Sequence, residues 1–166
     1  MLYHADDVYR PGDPQLPGTP QVPAKMLAPE IRLFNVGPKP LSLNGLELRY
    51  WFHDSSPASA QRAAVEFASV GKTSVKAEVV PDSAGDQNYY LKLTFDDDAG
   101  KILGKGGVVD IQSRVSKADG SSYVQSQDYS FDHSRDVEHL KDFQPSDKIA
   151  LYEGGKLIWG TEPVAK

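Results

Sequence analysis

The chain has no cysteine, no long apolar run and no excess of positive charge. The absence of cysteine excludes disulfides, thiol catalysis and thiolate zinc sites. No apolar run approaches the ~18 residues of a membrane-spanning helix, and no apolar signal-peptide core follows Met1. The formal net charge of −5, with no basic stripe, argues against binding to a phosphate backbone. We therefore expect neither a membrane nor a nucleic acid as a partner.

Catalytic signatures are also missing. The four histidines are scattered without an HExxH spacing, and the sequence contains no GxSxG, no P-loop and no GxGxxG ahead of a predicted helix. The densest acidic cluster, residues 96–98, follows a predicted strand and precedes Ala99 and Gly100. This context is typical of a solvated turn rather than of paired glycosidase carboxylates. Because no acid, base or nucleophile set is visible, we predict that the chain is not an enzyme.

Proline is concentrated near the N-terminus, where it recurs at every third position from residue 11 to residue 23. Three residues form one turn of polyproline II, so these prolines would line one side of an extended rod. We interpret residues 1–27 as an N-terminal strand and arm in which this segment is a linker or a long loop. The alternative is an arm that docks on a neighbouring protein.

Most of the chain after Pro29 alternates apolar and polar residues with a period of two, which buries one face of each strand. This pattern predicts strands near residues 31–34, 46–52, 75–79, 90–95, 109–116, 148–152 and 156–159. Gly154 and Gly155 favour a hairpin between the last two. Strands separated by turn residues in this way predict an all-β, antiparallel sandwich or jelly roll.

Residues 125–131, QSQDYSF, closely resemble the QSNDYSF signature of family 3 carbohydrate-binding modules. Further segments resemble motifs of that family in the same order: residues 34–37 its VNTG turn, 48–52 its LRYYY strand, 111–114 its IQTRF strand and 157–163 its closing LVWGKEP. The resemblance implies a β-sandwich with jelly-roll topology over residues 28–166. It also implies a non-catalytic, secreted module that binds cellulose or a related β-glucan through a flat sheet face.

The resemblance further assigns a binding strip to that face. Arg114 matches the arginine of the family's strip, and Gln112 matches a polar anchoring position. Glu66 stands where the family has aspartate, and Phe67 where it has histidine or tryptophan. Gly120 stands in place of the family's tryptophan, and the loop that supplies a tyrosine is shortened to residues 71–73. Because rings stack on sugar faces, this strip predicts weakened cellulose binding, and Phe67 is equally compatible with a core position.

One structural calcium ion is also implied by the resemblance. Calcium prefers six to eight hard oxygen ligands, which loops supply through carboxylates and carbonyls. Asp128 matches a ligand of the family, and its own alternative role is to cap a turn. The predicted ligands are Asp128, Gln127, the carbonyl of Val124, the carbonyl of His53 and the carboxylate of Asp54, with Ser55 as an alternative to Asp54.

Two functions remain open at this point. The first is a module that binds polysaccharide. The second is a structural or interaction module on the same scaffold, which assembles with protein neighbours through the opposite, grooved face or through the proline-rich arm. The number of aromatic residues assigned to the grooved face suggests that several of them lie at the surface, and the alternative is that most of them belong to the sandwich core. These residues are Tyr50, Trp51, Phe52, Tyr89, Tyr90, Tyr123, Tyr129 and Trp159.

Overall fold

A computed structural model describes residues 1–6, 25–82, 87–131 and 142–164 of the chain. The proline-rich segment from residue 11 to residue 23, for which we predict an extended rod or a docking arm, lies outside the described residues.

Within the described residues the chain forms thirteen strands and four short 3-10 turns. The strands are β1 Leu2–Asp6, β2 Met26–Leu27, β3 Pro29–Asn35, β4 Leu41–Ser42, β5 Leu46–Phe52, β6 Gln61–Ala68, β7 Val75–Pro81, β8 Tyr89–Phe95, β9 Lys101–Ile102, β10 Gly107–Lys117, β11 Gln144–Pro145, β12 Ile149–Glu153 and β13 Lys156–Trp159. The 3-10 turns are Ala58–Ala60, Lys72–Ser74, Asp97–Ala99 and Gln125–Gln127. None of the helices among the described residues is long and apolar enough to cross a membrane.

The strands form two main sheets, and all of their pairings are antiparallel. In the first sheet the order is β11-β1-β3-β10, and β10 also pairs with β2 and β6. In the second sheet the order is β13-β12-β5-β8-β7, while β4 and β9 form a separate two-stranded ribbon. The predicted all-β, antiparallel sandwich is confirmed.

The core lies between the inner faces of the two sheets. On β3 the buried residues Ile31 and Leu33 alternate with partly exposed ones, and on β8 the same is true of Leu91 and Leu93. Each fully buried aliphatic side chain contributes roughly 1.5–3 kcal/mol to folding. The outer face of the first sheet carries mainly charged and amide side chains, whereas the outer face of the second sheet carries a separate aromatic cluster around Trp51 and Tyr152.

Candidate functional site

Strand β10 presents two of the predicted binding residues on the outer face of the first sheet. Its buried residues Ile111, Ser113 and Val115 point inward, so Gln112 and Arg114 point outward and lie two residues apart. The inward Ser113 is polar, but its hydroxyl donates a hydrogen bond to the carbonyl of Pro29 at 3.0 Å. This bond satisfies the hydroxyl without disturbing the alternation.

A β-bulge in β6 brings the other two predicted residues to the same face. Gln112 pairs with Phe67, whereas the next residue of β10, Ser113, pairs with Val65, so Glu66 is the extra residue. A bulge re-aims the side chains around it, and here both Glu66 and Phe67 are exposed although they are consecutive. Phe67 is 47% exposed, so it is a surface ring and not a core ring.

The Glu66 carboxylate pairs with the arginine across the strand boundary. Arg114 Nη2 lies 2.8 Å from Glu66 Oε1, and the two side chains are 42% and 46% exposed. An ion pair this exposed contributes at most about 1 kcal/mol to stability. Its effect is to orient both side chains beside Phe67. All four predicted binding residues are thus brought together on one face.

A shallow depression of about 100 Å³ lies beside the ion pair. Its lining combines charged and amide groups with small apolar surface from the end of β2. A depression of this kind can accept a hydroxylated ligand, because several of its donors and acceptors face solvent. The lining residues are Met26, Ala28, Glu30, Glu66, Gln112, Ser113 and Arg114.

Gly120 and the loop at residues 71–73, where the family has aromatic rings, place no aromatic side chain on this face. Gly120 has a φ of +73°, and a Cβ added to it would meet nothing within 4 Å. The shortened loop is a 3-10 turn at Lys72–Ser74, and residues 71–73 are exposed. No aromatic side chain therefore joins Phe67 from either position.

A second ion pair on this face was not anticipated from the sequence. Arg32 Nε lies 2.6 Å from Asp110 Oδ1, and Arg32 Nη2 lies 3.4 Å from Asp110 Oδ2. The hydrogen bond that Arg32 donates to the Asp110 carboxylate raises the pKa of Arg32 above its ordinary value. The Phe143 ring centroid lies 4.2 Å from the guanidinium carbon of Arg32. The outward positions of Arg32 and Asp110 follow from strand alternation, but their pairing requires the register of β3 against β10.

The predicted calcium ligands are divided between two environments. Asp128 is buried, and its Oδ1 accepts a hydrogen bond from the backbone N–H of His53 at 2.9 Å. The two residues therefore meet, but through the N–H of His53 and not through the carbonyl that is the predicted ligand. Gln127 and Val124 are exposed and flank the 3-10 turn at Gln125–Gln127.

Asp54 lies in a different set of contacts. Its Oδ2 is 2.5 Å from Lys117 Nζ, and both side chains are only 7% exposed. Its Oδ1 accepts the backbone N–H of Ser56 at 2.7 Å, and the side-chain amide of Asn88 donates to its carbonyl. Lys117 Nζ also donates to the carbonyl of Ser122 at 2.9 Å and lies 4.6 Å from the Tyr123 ring centroid.

These contacts do not fit Asp54 as a calcium ligand, because each of its carboxylate oxygens already has a partner. The alternative, Ser55, is exposed and would bring only a hydroxyl. No group of three or more histidine, aspartate or glutamate side chains converges within the parts of the chain that the structure describes. Because both carboxylate oxygens of Asp54 are engaged by Lys117 and Ser56, the five residues do not fit as one ligand set. Calcium itself stays a prediction, with Asp128 as the carboxylate that remains a candidate ligand.

The grooved face of the second sheet is filled largely by its own aromatic side chains. Trp51 is 2% exposed, and its ring centroid lies 6.1 Å from those of both Tyr90 and Tyr129. The Arg49 guanidinium carbon lies 4.7 Å from the Tyr90 centroid and 4.1 Å from that of Tyr152. The expectation of several surface rings is wrong. Tyr50, Trp51, Phe52 and Tyr123 are buried, and Tyr89, Tyr90, Tyr129 and Trp159 are only partly exposed.

With this geometry established, comparison with known proteins identifies the family. The sequence-family model for family 3 carbohydrate-binding modules, described as a cellulose binding domain, matches residues 19–160. The chain belongs to this family. Its members are carbohydrate-binding modules, in general non-catalytic, and they bind polysaccharides such as cellulose. The predicted family membership is confirmed.

Relatives of this carbohydrate-binding module include parts of a glucanase and of an anti-sigma factor. It is 33% identical over 137 residues to an endoglucanase A of Paenibacillus lautus, and 33% identical over 135 residues to an anti-sigma-I factor of Acetivibrio thermocellus. The matches cover 82% and 80% of this chain but only 19% and 24% of those proteins. The chain thus spans about a fifth of the length of the endoglucanase and about a quarter of the length of the anti-sigma-I factor.

Solved structures confirm the jelly-roll sandwich of the module. A family 3b module from the major scaffoldin of Acetivibrio cellulolyticus superposes with a TM-score of 0.78 at 25% identity, covering 98% of this chain and 95% of that structure. A biomass-sensing module from an RsgI-like protein of Clostridium thermocellum superposes with a TM-score of 0.76 at 26% identity, covering 98% of this chain and 99% of that structure.

Proposed function

We propose that the chain is a non-catalytic module that binds cellulose or a related β-glucan through the outer face of its six-stranded sheet. The observation that carries the proposal is the bulge at Glu66. It places a surface ring, an ion pair and an exposed amide on one face, within reach of one extended ligand.

The chemistry of these groups suits a sugar chain. A phenyl ring such as Phe67 covers the apolar C–H face of a glucose ring by stacking. The Arg114–Glu66 contact uses one guanidinium nitrogen and one carboxylate oxygen, so most of the donors and acceptors of both side chains remain available for hydroxyl groups. Gln112 adds an amide that can donate and accept at the same time.

The same geometry limits the expected affinity. A strip of three rings would add stacking at roughly 1 kcal/mol per ring beyond burial, and here Phe67 stands without the rings missing at Gly120 and in the loop at residues 71–73. Affinity for crystalline cellulose is therefore expected to be tens-fold lower than that of a complete strip, on the order of 2 kcal/mol.

The kinds of protein in which relatives occur support an extracellular setting for this function. The endoglucanase of Paenibacillus lautus contains a matching region, and so does a cellulosomal scaffolding protein of Acetivibrio thermocellus. We therefore place the module outside the cell, where polysaccharide is accessible, as a secreted domain or as part of a larger protein of the anti-sigma-factor type.

The interaction-module alternative gains little support from the described surfaces. A protein-binding groove would need exposed aromatic anchors, but Trp51 and Tyr152 are buried within their own cluster. The proline-rich arm, the other contact predicted for protein neighbours, lies outside the described residues.

Depletion from solution by insoluble cellulose tests the proposed function. The wild-type chain should be depleted, and Arg114→Ala should release it, because the substitution removes the guanidinium without touching the core. Lys76→Ala is the matched control, since Lys76 forms a similar exposed ion pair with Asp96, at 2.7 Å, on the other sheet. Equal depletion of wild type and Arg114→Ala would contradict binding through this face.

A further inference from the structure

The outer face of the six-stranded sheet extends beyond the four residues described above. Along β10 the outward positions continue from Arg114 through Gln112 to Asp110, and Asp110 pairs in register with Arg32 on β3. At about 3.4 Å per residue, Asp110 and Arg114 are roughly 13 Å apart along the strand. The two ion pairs thus lie on one face with Gln112 between them.

The two ion pairs lie on opposite sides of β10. Glu66 belongs to β6, on one side of β10, whereas Arg32 belongs to β3, on the other side. Strands are about 4.8 Å apart, so Glu66 and Arg32 are separated by roughly 10 Å across the sheet. They are also offset along the direction of β10. The polar groups therefore form a diagonal band, not a single row along one strand.

The Arg32–Asp110 pair is oriented by an aromatic ring at the far end of this band. The guanidinium contacts both carboxylate oxygens, and Phe143 lies against it just before β11, which pairs with β1 at the edge of the sheet. A guanidinium held by two contacts and a ring face has few alternative rotamers, so little entropy is lost when it binds a ligand.

The pair still has capacity for a ligand. Arg32 and Asp110 are each 35% exposed. Their mutual contacts use two of the five guanidinium N–H groups and leave further lone pairs on the carboxylate. Vicinal hydroxyls of a sugar present a donor and an acceptor side by side, which matches a carboxylate next to a guanidinium.

We propose that Arg32 and Asp110, supported by Phe143, form a second contact for the glycan, so that the binding face runs diagonally from Phe67 to Phe143. This inference rests on the proposed function. The band contains one well-exposed ring and many hydrogen-bonding groups. It therefore favours a hydrated β-glucan chain, whose hydroxyls are accessible, over the flat face of a crystal, whose chains hydrogen-bond to each other.

Affinity electrophoresis in gels that contain a soluble β-glucan, hydroxyethyl cellulose, tests the second contact. Arg32→Ala should weaken binding about tenfold, the factor expected for one or two charge-assisted hydrogen bonds. Arg32→Lys keeps the charge but loses the fork, and it should weaken binding nearly as much. Lys76→Ala is the control and should migrate like wild type.

Three outcomes separate this inference from the proposed function. If Arg114→Ala loses binding while Arg32→Ala and Arg32→Lys retain it, the second contact is overturned and the proposed function stands. If all three substitutions lose binding, the second contact is supported. If soluble glucan does not retard the wild type in the gel and insoluble cellulose does not deplete it from solution, both proposals fail. Tighter binding to microcrystalline cellulose than to swollen, amorphous cellulose of equal accessible area would overturn the preference for hydrated chains.

Discussion

Replacing Lys117 by methionine removes the cation that faces the buried Asp54 carboxylate. Lys117 Nζ lies 2.5 Å from Asp54 Oδ2, and both side chains are 7% exposed. Methionine has a similar length and no charge, so it fills the space but leaves the carboxylate buried without its cation and the Ser122 carbonyl without its donor. Breaking a buried pair from one side costs roughly 3–5 kcal/mol.

In a protein of this size each 1 kcal/mol shifts the melting temperature by about 2–4 °C, so Lys117→Met should lower it by about 6–20 °C. Thermal unfolding followed by circular dichroism measures the shift. The double variant Asp54→Asn, Lys117→Met should recover part of the loss, because no uncompensated charge then remains in the interior.

Lys76→Met provides the matched control for this experiment. Lys76 pairs with Asp96 at 2.7 Å, but Lys76 is 70% exposed, so its removal should change the melting temperature by no more than about 4 °C. The reasoning is refuted if Lys117→Met and Lys76→Met melt within about 2 °C of each other, because burial would then not determine the strength of the pair.

Two further predictions concern metal and pH. The calcium predicted on Asp128 should raise the melting temperature of the wild type, and Asp128→Ala should abolish this rise. An unchanged melting temperature on treatment with EDTA would contradict the calcium site. Burial, aided by the hydrogen bond to Glu162, raises the pKa of Tyr152, and burial with the Asp54 and Asp128 carboxylates raises that of Tyr123. The folded state therefore holds these phenolic protons more tightly than the unfolded state does. The resulting stabilisation of the fold is fully present below the ordinary tyrosine pKa of about 10 and is lost as the pH rises above it. The free energy of unfolding, measured in urea, should fall above about pH 10, and it should fall less steeply with pH in Tyr152→Phe. The same pH dependence in wild type and Tyr152→Phe would contradict a raised pKa of Tyr152.

The strands were predictable because their alternation is local. Ile31 and Leu33 on β3, or Leu91 and Leu93 on β8, need only their immediate neighbours to indicate which face is buried. The bulge at Glu66 was not predictable, because it depends on how β6 registers against β10, and no turn joins these two strands to set that register.

The candidate site shows the same division. Family motifs located Arg114, Gln112, Glu66 and Phe67, and the fold brings them together. The Asp54–Lys117 contact joins residues that are far apart in the chain, and a carboxylate in a predicted loop carries no local signal that a lysine will meet it in the interior. The contacts of Arg32 with Asp110 and Phe143 likewise depend on β3, β10 and the segment before β11, which come together only in the fold.

Mapping the bound glycan by NMR shows whether it lies on the outer face of the six-stranded sheet. In a titration of the labelled chain with cellohexaose, the backbone amide shifts should change around Phe67, Gln112 and Arg114 on the outer face of the six-stranded sheet. Extension of the changes to Arg32 would follow from the diagonal band. Changes confined to Trp51, Tyr90 and Tyr152 on the opposite sheet, or no changes at millimolar ligand, would contradict glycan binding through this face.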